Sequence, residues 1–191
     1  MLYTDVSNRV GPYLDAVGDV TRDGCNDLVL LSFAGAGALS LFAGGGDFGA
    51  AAPWAPRTRD GRPVSFNGTT DFLPVGDADG DGAADVILYG TCLSGTPCAG
   101  GAYERSLYRG GVGGLSETPV VMPALASRSF AQHALGDLDG DGRAELGEYT
   151  RGAAQLTIWR GTASGYVAAA RVTITPPDLA TSSASFTGSV P

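Results

Sequence analysis

The chain has no lysine: all 12 of its basic residues are arginine. That absence excludes a phosphate-binding P-loop, a Schiff-base amine and a Ser-Lys nucleophile pair, each of which needs an ammonium side chain. It also fits a GC-rich coding sequence, which is a bacterial hint and not physics. Histidine is nearly missing as well. His133 is the sole copy, and a lone histidine on a strand is more often a packed or exposed residue than a general base. No G-x-S-x-G occurs, and in "GTASG" the serine falls one place late. No H-E-x-x-H zinc motif is present either. The net charge of −8 argues against a nucleic-acid partner. No apolar run approaches the ~18 residues of a membrane-spanning helix. The opening "MLYTDVSNRV" carries Asp5 and no apolar stretch, so it does not read as a leader. Either the protein is cytosolic or a leader lies outside these residues.

Cysteine is scarce. "CLSGTPC" closes a short loop between Cys92 and Cys98, either as a disulfide staple in an oxidising compartment or as two free thiols. Cys25 is then unpaired. Glycine, in contrast, is abundant, at 30 of 191 residues. It shows no G-X-Y period, so a collagen helix is excluded. Glycine between many short apolar runs reads as an all-β, turn-rich chain, and the 43% hydrophobic content is enough to pack a core.

An internal repeat organises those runs. "GDVTRDGCNDLVLL", "GDADGDGAADVILY" and "GDLDGDGRAELGEY" begin at Gly18, Gly76 and Gly136, roughly 60 residues apart, within the range of blade-type repeats. An aromatic residue shortly before a glycine follows in each copy: Phe42, Tyr108 and Trp159. A further apolar residue comes after it, at Phe48, Leu115 and Tyr166. Tyr13, Phe72 and Phe130 lead into the three Gly-Asp pairs. Each copy therefore predicts four short strands in a meander. The second strand of each copy is apolar on successive residues, which predicts burial on both faces. The expected fold is all-β: three four-stranded antiparallel blades of a partial β-propeller. The blades should cover about 11–66, 67–127 and 128–185, with 1–10 and 186–191 as strands of adjoining or shared blades. Residues 91–102, which include both Cys92 and Cys98, are an insertion in the second copy. They read equally as a functional loop or a tolerated surface loop.

The Gly-Asp loops carry the chemistry. Aspartates at alternating positions turn inward on a tightly wound loop, and glycine supplies the φ > 0 that winding demands. The second copy offers Asp77, Asp79, Asp81, the Ala83 carbonyl and Asp85. The third offers Asp137, Asp139, Asp141, the Arg143 carbonyl and Glu145. The first offers Asp19, Thr21, Asp23, the Cys25 carbonyl and Asp27, with Arg22 in place of a glycine, so it should bind weakly or not at all. All-oxygen ligation favours Ca²⁺. The three loops hold more than half of the 20 acidic residues. Without a cation, such crowded carboxylates repel and must protonate or splay. Glu148 falls where an EF-hand has its last ligand, but β-like flanks exclude an EF-hand. The matching positions, Leu30 and Leu88, are apolar. Glu148 therefore faces solvent, faces a partner, or has a buried mate.

"GDADGDGAAD" and "GDLDGDGRAE" at this spacing resemble the FG-GAP (VCBS-type) repeats of integrin-α-like β-propellers, and the resemblance covers nearly the whole chain. It implies four-stranded blades with Ca²⁺ in the loop between the first two strands. It also implies a secreted or cell-surface module that binds proteins or glycans without catalysing a reaction. Such rings have more blades than three, so the rest of a longer chain, or oligomerisation, would supply the others. Two other functions are compatible with the residues. One is an accessory domain of a secreted hydrolase. The other is a lectin that stacks sugars on aromatics, for which Trp54, Tyr103 and Trp159 are the choices. Trp54 lies outside the repeat and reads as the exposed one, whereas Trp159 repeats at a core position.

Overall fold

A computed structural model describes residues 13–32, 38–46, 51–64, 71–91, 103–123, 130–150 and 155–174. Three four-stranded antiparallel sheets account for almost all of the regular structure in these residues. The first sheet comprises β1 (Tyr13–Gly18), β2 (Asp27–Ser32), β3 (Ala38–Phe42) and β4 (Ala52–Trp54). Next come β5 (Asp71–Gly76), β6 (Asp85–Thr91), β7 (Tyr103–Tyr108) and β8 (Val120–Val121). The third sheet is β9 (Phe130–Gly136), β10 (Glu145–Thr150), β11 (Gln155–Trp159) and β12 (Arg171–Ile174). Every sheet is a simple meander in chain order. The first strands lie side by side, β1 near β5 and β5 near β9, so the sheets follow one another face to face.

The double-sided burial expected of the second strands holds for β6, whereas Leu28 and Leu30 of β2 are only half-buried; in β6 it has a direct cause. Val86, Ile87 and Leu88 of β6 are all fully buried. Val86 and Leu88 join a cluster with Val29, Leu31, Leu39 and Leu41 of the first sheet. Ile87 points the other way, into a cluster with Leu146 and Trp159 of the third. Successive side chains on a strand alternate faces, so a strand sandwiched between two sheets needs apolar residues at every position. Leu115 and Tyr166, which follow the third strands, fill the same two clusters. Phe48, Cys92 and Cys98 lie outside the described residues, as does nearly all of the 91–102 insertion.

Trp54 is not an exposed sugar-stacking residue. It ends β4, is 6% exposed, and packs edge-on against Tyr108 with ring centroids 5.3 Å apart. Its indole N–H donates to the Ser116 carbonyl at 3.0 Å. Tyr108 in turn donates its hydroxyl to the Arg57 carbonyl at 2.8 Å. Trp159 is buried, as its repeat position predicts. The side chain of Tyr103 is outside the description.

Glu148 has a buried mate. Arg105 on β7 meets it at 2.7 Å, with side-chain exposures of 1% and 12%. The Trp159 indole N–H donates to the same Glu148 oxygen at 3.1 Å, and the Arg105 guanidinium lies 4.7 Å from the Trp159 ring centroid.

Candidate metal centres

Each acidic loop joins the first strand of a sheet to its second, and the first aspartate winds it. In loop 2, Asp77 Oδ1 accepts from the N–H groups of Gly80 (2.7 Å) and Asp81 (3.1 Å), and Oδ2 from Gly82 (2.8 Å). Asp137 repeats all three bonds in loop 3, with Gly140, Asp141 and Gly142. In loop 1, Asp19 accepts from Asp23 and Gly24. Gly80 and Gly140 take φ of 80° and 78°, where a side chain is strained. Loop 1 keeps that conformation with an arginine: Arg22 has φ 59°. A left-handed non-glycine residue costs about 1–2 kcal/mol, against the ~0.5–1 kcal/mol of backbone entropy a glycine would lose. Arg22→Gly is therefore expected to raise stability by about 0.5–1 kcal/mol, measured by urea denaturation; a loss of stability would contradict this reading of the loop.

The last acid of each loop reaches back from the second strand and is buried. Asp27 is saturated by backbone donors: Val20 and Thr21 N–H on Oδ2 at 2.8 and 2.9 Å, and Gly44 N–H on Oδ1 at 2.7 Å. Asp85 accepts from Ala78 and Gly110, both at 2.9 Å. Glu145 is longer by one methylene, and its bonding differs. Its Oε2 accepts from Leu138 N–H at 2.7 Å, while Oε1 is buried with no hydrogen-bond partner among the described residues. A carboxylate oxygen in that position demands a cation or a donor that the described residues do not supply.

Two clusters follow. Asp77, Asp79 and Asp85 bring carboxylate oxygens within 4.8 Å of one another, and so do Asp137, Asp139 and Glu145. Either cluster could hold a metal ion. Asp81 and Asp141 are not members of these clusters. Each instead caps its own loop, accepting from Ala83 N–H at 2.8 Å and Arg143 N–H at 2.9 Å. Arg143 also reaches Asp141 at 3.3 Å. Asp19, Asp23 and Asp27 of loop 1 form no such cluster among the described residues. Thr21, in place of the third-position acid, bonds weakly toward Asp27 at 3.5 Å. Cys25 is a free, half-buried thiol whose N–H is taken by Asp23.

Three arginines matter that the acidic pattern alone does not mark. Arg109 pairs with Asp79 at 2.9 Å, and Arg160 with Asp139 at 3.8 Å. Both follow the aromatic that ends the third strand, in "YRG" and "WRG". The first copy reads "FAG", so Ala43 replaces the arginine in the same copy where Thr21 replaces the acid. That paired loss was readable in the sequence. The third, Arg143, donates to the Asp79 carbonyl at 3.2 Å and so ties loop 3 to loop 2. The loops also stack through the backbone. Ala84 N–H donates to the Asp19 carbonyl at 2.9 Å and Ala144 N–H to the Asp77 carbonyl at 2.7 Å.

Burial sets the acid–base character of loop 2. It pushes the Asp85 carboxyl up to about 7, against the pull of the Gly110 and Ala78 amides. Burial also raises Asp79, with Asp81 adding to the effect. A carboxyl raised in the folded state binds its proton more tightly folded than unfolded. Its contribution to stability is full below about pH 4 and is lost as pH rises through 7. The metal-free protein is therefore expected to lose melting temperature between about pH 4 and 7, and a bound cation should oppose that loss. Melts across this range in chelator and in excess metal provide the check, and parallel curves would count against it.

No known protein-family model and no curated protein sequence matches the chain.

Proposed function

We propose that the three sheets are blades of an FG-GAP/VCBS-type β-propeller. In this reading the chain is a calcium-stiffened, non-catalytic binding module that works outside the cytoplasm. One observation carries it: two sequence-matched loops each converge three carboxylates, and in one of them a buried carboxylate oxygen has no hydrogen-bond partner among the described residues. The donors are all oxygen, which is the preference of a hard cation. Loops that wind around several carboxylates with mixed backbone support suit the larger, less rigid shell of Ca²⁺ better than the strict octahedron of Mg²⁺. Asp77, Asp79 and Asp85 would hold one ion, and Asp137, Asp139 and Glu145 a second. Loop 1, whose last acid is already saturated by N–H groups, would hold none or a weak one. The ions would fix the turns that set sheet on sheet. A protein or glycan would then bind at loops on one face of the ring. Burial of Trp54 and Trp159 weighs against a lectin that stacks sugars on tryptophan. The test is a thermal melt titrated with Ca²⁺ and, separately, with Mg²⁺. Stabilisation by Ca²⁺ at lower concentration than Mg²⁺ is the expected result. No response to either ion would remove the metal reading, and with it the argument for this class of module.

A further inference from the structure

The two acidic clusters are built alike but satisfied differently. In loop 2 every oxygen of the three clustered carboxylates already meets a donor of the chain. Asp77 is taken up by the N–H groups of Gly80, Asp81 and Gly82, and Asp85 by those of Ala78 and Gly110. Asp79 Oδ1 accepts from the Asp81 N–H at 3.1 Å, and its Oδ2 faces Arg109 Nε at 2.9 Å. In loop 3 the series breaks at Glu145. Gly161 stands where Gly44 and Gly110 do, two residues after the aromatic that ends the third strand. Its N–H does not donate to Glu145 Oε1, which has no hydrogen-bond partner among the described residues although Glu145 is 2% exposed.

Arg109 sits where a metal ion would compete with it. Its Nε lies against Asp79 without an aligned hydrogen bond, so charge alone holds the pair. Nη2 is anchored separately and donates to the Ala163 carbonyl at 2.9 Å. The Asp79 side chain is buried, so solvent screens the pair weakly. The Arg109 side chain is one-third exposed and has an open side to move toward. Asp79 is also one of the three acids whose oxygens lie within 4.8 Å of one another. A divalent ion among those oxygens and a guanidinium on the same carboxylate repel strongly. Arg22 and Arg143, from the neighbouring loops, lie against Gly82 and Gly80 and add to the positive field on loop 2. In loop 3 the corresponding Arg160 stands 3.8 Å from Asp139, and both side chains are exposed.

We infer that Arg109 is the resident cation of loop 2 and sets the order in which the two centres load. Loop 3 takes the first divalent ion, on an oxygen with no competing donor among the described residues. Loop 2 takes its ion only when Arg109 leaves Asp79. This rests on the metal reading above.

The test is calorimetric titration of the metal-stripped chain with Ca²⁺. Two binding phases are expected, and Asp139→Thr should remove the tighter one. In that background Arg109→Gln should tighten the remaining phase by at least about fivefold, the lower end of ordinary coupling between sites. Glutamine keeps an amide donor for the Ala163 carbonyl while losing the charge; Arg109→Met serves if that variant fails to fold. Arg109→Lys keeps the charge and should retain the weak affinity of its parent. An arginine that only braces the sheets through Ala163 would instead lower the melting temperature when replaced and leave the Ca²⁺ affinity unchanged. That outcome would overturn the inference, as would loss of the weaker phase in Asp139→Thr, and either would leave the calcium module standing. Absence of both binding heat and thermal stabilisation by Ca²⁺ in every variant would remove the metal reading and this inference together.

Discussion

Glu148→Leu is expected to destabilise the protein by about 3–5 kcal/mol, although it restores the residue type that both sibling sheets carry at this position. In those sheets, Leu30 and Leu88 stand on β2 and β6. In the third sheet the facing residue is Arg105, whose side chain is 1% exposed. Burial pulls the guanidinium pKa down while Glu148 raises it, through charge first and hydrogen bonding second. An arginine cannot shed its proton to escape. Removing the carboxylate would leave a buried cation supported by the Pro123 carbonyl at 3.1 Å and the face of Trp159. For a chain of this length each kcal/mol moves the melting temperature by about 2–4 °C, so a fall of roughly 6–20 °C should be seen. The double variant Arg105→Leu/Glu148→Leu recreates the Leu39–Leu88 arrangement of the first contact. It should recover most of the loss or exceed the wild type, because a buried ion pair rarely outdoes well-packed apolar groups. Arg105 Nη2 and both amide atoms of Gln132 already lack partners among the described residues, so the polar slot is not an optimised network. A double-mutant cycle in urea measures the coupling. Additive single variants would show that the pair is not an energetic unit.

Calcium is expected to produce the other large effect. An ion that binds only the folded state adds about 2.7 kcal/mol at a hundredfold excess over its dissociation constant. Two independent sites would then add about 5 kcal/mol, or roughly 10–20 °C in melting temperature. Asp139→Thr separates the sites. It copies Thr21 of loop 1 into loop 3 at an exposed position whose partner, Arg160, is also exposed. The metal-free protein should change little, and about half of the calcium response should disappear. The matching change in loop 2 is less clean, because Asp79 is nearly buried and holds Arg109. If Asp139→Thr leaves the full response, loop 3 is not a site.

The acidic loops and strands were legible because their signals are local. Asp77 fixes its loop through bonds to residues three to five positions on, and the Gly-Asp spacing repeats that geometry three times. Glycine at the φ > 0 positions and the successive apolar residues Val86, Ile87 and Leu88 of β6 are equally short-range. Rejection of an EF-hand rests on the same ground, since β9 and β10 flank loop 3. Trp54 misled because nothing near it in sequence records its burial. Its partners, Tyr108 and Ser116, come from the second copy.

The sequence alone thus determined what each unit is: a four-stranded meander with a carboxylate-rich loop between its first two strands. Only the tertiary structure decided how the units meet. Glu148 finds Arg105 across 43 residues of chain. Ala84 and Ala144 anchor their loops on carbonyls of the preceding loop. Glu145 keeps an oxygen with no partner among the described residues, while Asp27, one methylene shorter, is saturated. Contacts between sheets depend on side-chain reach and face, and neither is written in the spacing of any single repeat.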